Sequence, residues 1–99
     1  MRENKLERYL ISKLQRIGVS TRKVKWIGRD GAPDRLILTQ GGIWAELKAL
    51  GQKPRPSQVR EHNEMREAGF RVLVIDSIEQ IDNLVKECEK NLNHENTKI

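Results

Sequence analysis

Apolar residues at helical spacing open and close this chain, and between them the pattern changes to short β-branched and aromatic runs. Leu6, Leu10, Leu14 and Ile17 recur at intervals of four, four and three. They predict an amphipathic helix over residues 3–17, with Gly18 just past its end. Ile78, Ile81, Leu84, Val85 and Cys88 form a second stripe. Ser77, with Gln80 three residues on, opens it as a capping box.

The middle reads as strands and loops. Val24–Ile27 is rich in strand-forming residues and is expected to be extended. Gly28–Pro33 carries two glycines and a proline and is a loop. Arg35–Thr39 and Ile43–Ala49 read as a hairpin joined through Gln40-Gly41-Gly42. Gly51–Pro56 is a basic loop. Ser57 is the expected N-cap of a helix running to about Ala68 and closed by Gly69. Phe70–Ile75 is a nearly continuous apolar run, as in a buried strand. The order α-β-β-β-α-β-α gives an α/β fold, with a central mixed sheet flanked by helices. The 99 residues allow one domain, placed at 1–92, with a polar tail at 93–99.

Charge is uneven. Residues 1–60 hold 14 Lys or Arg against 5 Asp or Glu, whereas residues 61–99 hold 5 against 9. A basic half of that size suits a polyanion, most simply nucleic acid. The single cysteine excludes an internal disulfide and a Cys-rich zinc site, and a reducing cytoplasm is the expected compartment. No apolar run is long enough to span a membrane, and the first ten residues lack the apolar core of a signal peptide.

Glu46-Leu47-Lys48 carries the chemistry. In a strand, residues i and i+2 share a face, so Glu46 and Lys48 project together with Trp44, while Ala45 and Leu47 face the core. Such a pair can be no more than a surface ion pair. Asp34 changes the weighing. With a three-residue loop at 40–42, Leu36 faces Glu46 and Asp34 faces Lys48, which sets Asp34 diagonally from Glu46 on the same face. A loop longer or shorter by one residue would flip it away. Two carboxylates and a lysine suit metal-assisted phosphodiester hydrolysis. Asp34, Glu46 and the Leu47 carbonyl would hold a hard cation, Mg²⁺ or Mn²⁺, and Lys48 would orient water or stabilise developing charge.

The segments Gly31-Ala32-Pro33-Asp34-Arg35, Ala45-Glu46-Leu47-Lys48-Ala49 and Pro56-Ser57-Gln58 resemble the stand-alone, virus-type members of the VRR-NUC family, within the PD-(D/E)xK nuclease superfamily. The resemblance runs from Glu7 to about Val85. It implies a restriction-endonuclease-like core and divalent-metal-dependent cleavage of DNA. It also implies that Asp34 and Glu46 bind metal, that Lys48 is the family's lysine, and that Gln58 and a first-helix glutamate complete the site. Helical periodicity favours Glu3 as the inward glutamate. The spacing to Gly18 in related junction-resolving nucleases selects Glu7, with Glu3 in reserve. Small stand-alone members look like Holliday-junction resolvases, so branched DNA is the expected substrate. Two cuts in a two-fold junction favour a homodimer.

Lys25, Arg29, Lys53, Arg55 and Arg60 are the expected phosphate contacts. His62, between Val59 and Met65 at helical spacing, reads as a packed or solvated side chain. Trp26 and Trp44 read as core or interface before base stacking. A DNA-binding module without chemistry, or a subunit needing a partner, is the competing reading. The three glutamates on the helix after Ser57 face phosphate poorly and count against the binding module.

Overall fold

A computed structural model describes residues 1–97. The first stripe becomes α1 (Glu3–Arg16), with Leu6, Leu10 and Leu14 buried. Gly18 adopts φ +79° beyond it. The Val19 N–H bonds the Leu14 carbonyl, and the Gly18 N–H bonds that of Gln15. These are the two bonds of a Schellman ending. Three strands follow, β1 (Thr21–Lys23), β2 (Arg35–Ile37) and β3 (Ile43–Leu47). Then come α2 (Pro56–Glu67), β4 (Arg71–Ile75) and α3 (Ile78–Thr97). The expected order holds, and the helix itself crosses the boundary drawn at residue 92. Residues 98 and 99 of the expected tail lie outside the described residues.

The sheet order is β1-β2-β3-β4. The first two pairings are antiparallel and β3–β4 is parallel. A parallel pair needs a long crossover, and α2 lies within it. Helices α1 and α3 cover the Ala45/Leu47 face. Leu6, Leu10, Leu14, Ile81, Leu84 and Cys88 join Ile37, Ile43, Ala45, Leu47 and Ile75 in one core. Tyr9 Oη donates to Asp82 Oδ1 at 2.6 Å, which ties the two helices together. Ser77 and Gln80 form the expected capping box at the start of α3.

Three expectations are corrected. Strand β1 is Thr21–Lys23, not Val24–Ile27. The Val24 N–H still bonds the Asp34 carbonyl at 2.8 Å, but Pro33 comes next on the partner and has no N–H to continue the ladder. The hairpin register is Ile37↔Ile43, Leu36↔Trp44, Arg35↔Ala45. It is shifted by two residues from a three-residue loop, so every side chain keeps its face. Helix α2 begins at Pro56 rather than after Ser57. Proline suits the first helical position, and Gln58 Oε1 accepts the Arg55 N–H at 2.9 Å.

Candidate active site

The site forms where β2 and β3 part. Extending the observed register by one residue sets Asp34 directly opposite Glu46. The pair at 34/46 falls between ladder bonds, where facing residues stand closest. One step further, Pro33 would oppose Leu47. The Lys48 N–H points to β4, bonding the Ile75 carbonyl at 2.8 Å. In a trans peptide the Leu47 carbonyl then points the other way, toward Pro33, which has no N–H to offer. The Pro-Asp sequence therefore frees a backbone oxygen beside two carboxylates.

Glu46 is only 8% exposed, and its carboxyl makes no hydrogen bond among the described residues. Burial, then the nearby Asp34 charge and more weakly that of Glu3, push it up to about 7, with Lys48 and Lys23 opposing. A carboxylate held this way favours a cation. Lys23 Nζ bridges Asp34 Oδ2 at 2.7 Å and Glu7 Oε2 at 3.4 Å. Glu7 also meets Arg35 Nη2 at 3.2 Å. Glu7 thus joins Lys23 and Arg35 from α1, whereas Glu3, exposed in the first turn, is the α1 carboxylate whose charge acts on Glu46.

No three His, Cys, Asp or Glu side chains among the described residues form a ready chelate. The donors at hand are two carboxylates and one backbone carbonyl. That set fits Mg²⁺ or Mn²⁺ completed by water and phosphate oxygens, because Mg²⁺ is usually held by one or two carboxylates and keeps several waters.

Helix α2 packs on the Glu46 side of the sheet with a polar inner face. Its buried residues are Gln58, Glu61 and His62. Gln58 is buried on this face, and its side-chain oxygen accepts the Arg55 N–H. His62, expected to be packed or solvated, is buried with Nε2 at 4.0 Å from Glu46 Oε1. Its burial agrees with the packed reading, and one histidine among helical apolar neighbours carries no sign of what lies across the helix.

The loop between β1 and β2 is fixed on several sides. Trp26 Nε1 donates to the Pro33 carbonyl at 2.7 Å, and its ring lies 5.2 Å from that of Trp44 at 48°. Arg29 is paired with Glu61 and lies 3.5 Å from Glu64. Its positive charge is therefore largely matched within the protein. Lys25, Lys53, Arg55 and Arg60 are exposed. A cavity of about 360 Å³ beside this loop is lined by Arg29, Ser57, Arg60 and Glu61 among others. No described helix is long and apolar enough to cross a membrane.

No family model matches the chain. It is 42% identical over 79 residues to a protein described as "Putative nuclease p44" of Acyrthosiphon pisum secondary endosymbiont phage 1, a match covering 78% of this chain and 85% of that protein. It also superimposes on a solved structure described as a VRR_NUC domain, with a TM-score of 0.75 and 33% identity, over 85% of this chain and 94% of that one.

Proposed function

The chain belongs to the VRR-NUC family, and from that premise we propose that it is a divalent-metal-dependent endodeoxyribonuclease acting on branched DNA such as Holliday junctions. The supporting observation is the placement of Asp34 opposite Glu46 beside a Leu47 carbonyl that Pro33 leaves without a ladder partner. Asp34, Glu46 and the Leu47 carbonyl would hold Mg²⁺ or Mn²⁺. When bound, such a cation supplies Lewis-acid polarisation of the phosphodiester and a more acidic water.

Lys48 shares the Glu46 face and is half-buried, so its ammonium is placed to orient the attacking water or to offset charge on the phosphorane-like transition state. Gln58, with its oxygen engaged, would act through its NH₂ group. Glu7 completes the cluster by holding Lys23 and Arg35. Lys25, Lys53, Arg55 and Arg60 would take the phosphates flanking the cut. A homodimer in the cytoplasm would supply the two cuts that resolve a two-fold junction.

The test is cleavage of end-labelled four-way junction, flap and linear duplex DNA with Mg²⁺, Mn²⁺ or EDTA, comparing wild type with Glu46→Ala. Paired, symmetric cuts at the junction, lost in EDTA and in the variant, are the expected result. Cutting all three substrates alike would discard the junction preference and keep the nuclease. Cleavage that survives EDTA, or survives in Glu46→Ala, would overturn the assigned site.

A further inference from the structure

Helix α2 places an imidazole in the interior on the same side of the sheet as Glu46. His62 is 1% exposed, and its Nε2 has no hydrogen-bond partner among the described residues. Buried polar atoms are nearly always paired, so an unpaired one calls for an explanation. The carboxylate oxygen it faces is Glu46 Oε1, 4.0 Å away. Gly31, three residues ahead of Asp34, lies against the same helix, where an added Cβ would lie 2.5 Å from the Ser57 carbonyl oxygen. Helix α2 therefore braces the segment that delivers Asp34 and also turns an imidazole toward the carboxylate of Glu46.

We infer that His62 is a positioning residue for Glu46, its Nε2 edge fixing the carboxylate in the orientation that receives a divalent cation. This rests on the reading of Glu46 as a cation ligand. A carboxylate oxygen has lone pairs to spare, and ligating carboxylates are themselves generally hydrogen-bonded on their outer side. Closing the gap by about 1 Å would bring the pair to hydrogen-bond distance. Gln58, one turn earlier, does not fill this position with its oxygen, which is held at the start of α2 by the Arg55 N–H.

The experiment is a calorimetric Mn²⁺ titration of the DNA-free protein for wild type, His62→Leu and His62→Gln, with a thermal melt of each. Leucine fills the space and removes the polar edge, whereas glutamine restores a polar group at similar reach. We expect His62→Leu to melt cooperatively but to bind Mn²⁺ about 10-fold more weakly, with His62→Gln recovering much of the loss. On junction DNA, kcat should fall in His62→Leu and recover in His62→Gln, while KM for DNA stays near wild type. Wild-type affinity in a folded His62→Leu protein would overturn the inference and leave the cation site standing. No Mn²⁺ uptake by wild type would overturn both.

Should His62→Leu fail to fold, ¹⁵N spectra of the wild-type histidine rings during a Mg²⁺ titration decide the matter. The His62 Nε2 resonance should move in wild type and stay still in Glu46→Gln. An unmoved resonance in wild type that binds Mg²⁺ would overturn the inference.

Discussion

Lys23 Nζ lies 2.7 Å from Asp34 Oδ2, so an ammonium already neutralises one of the two carboxylates that face each other across β2 and β3. The hydrogen bond to Asp34 is the main reason the Lys23 pKa is raised. A divalent cation must compete with that contact. Lys23→Met should therefore bind Mn²⁺ about 5-fold more tightly, the equivalent of about 1 kcal/mol for an exposed pair. Calorimetry measures this directly, and weaker binding would show instead that Lys23 holds Asp34 in place.

Stability without metal should depend on pH through Glu46. Its carboxyl is raised from 4.5 to about 7 by burial first and Asp34 second. Between those values the folded protein binds more protons than the unfolded chain, so stability falls as pH rises through the window. In EDTA the melting temperature should be lower at about pH 8 than at about pH 5.5. Mg²⁺ should raise it more at the higher pH, where the carboxylate is charged and available. Identical Mg²⁺ effects at both pH values would show that Glu46 does not meet the cation.

Gly31→Ala should destabilise the protein. Gly31 has φ +85°, and an added Cβ would meet the Ser57 carbonyl oxygen at 2.5 Å. The left-handed backbone alone costs a non-glycine residue about 1–2 kcal/mol, and the clash adds to it. Urea unfolding reads the loss. A wild-type midpoint would mean that the loop can lift off α2 freely.

Basic residues should separate by their partners. Lys53 and Arg55 are exposed, and neither has an ion pair among the described residues. Replacing both by alanine should reduce the slope of log affinity against log salt by about 1.8, if each meets one phosphate. Arg29→Ala should move that slope less and lower the melting temperature more, because Arg29 is engaged by Glu61 and Glu64. Filter binding across a salt series distinguishes the two. An unchanged slope in the double variant would turn the basic loop away from DNA.

Lys48→Ala should lower the single-turnover rate by about 100-fold, within the usual range for a positioned proton-transfer group, and leave junction affinity nearly unchanged. A large loss of affinity would make Lys48 a phosphate anchor.

The α/β order and the face shared by Asp34 and Glu46 were legible because both depend on periodicity. A two-residue slip of register changes every cross-strand partner and no side chain's face, so Asp34 and Glu46 meet although Leu36 pairs with Trp44 rather than Glu46. Strand β1 was misplaced for a reason local composition cannot reveal. Val24–Ile27 has strand-like residues, but the partner strand reaches Pro33 and the ladder stops. Gln58 entered only through the family resemblance and His62 only as a packed or solvated side chain, because the environment of both was beyond reach in another way. Their surroundings depend on how α2 lies across the sheet, and one chain's spacing does not encode that contact. The polar inner face of α2 was a usable hint, since Gln58, Glu61 and His62 occupy positions where a purely structural helix would carry apolar side chains.

The bond between Tyr9 and Asp82 joins the first helix to the last across 73 positions of sequence. Synthesis proceeds from the N-terminus, so α1 leaves the ribosome long before the helix that docks it. Until α3 follows, the Leu6, Leu10 and Leu14 stripe lacks the Ile81, Leu84 and Cys88 side of its core, and the helix that carries Glu7 toward Lys23 and Arg35 is packed on the sheet alone. The topology thus ties the placement of Glu7 to a helix that comes last in the sequence.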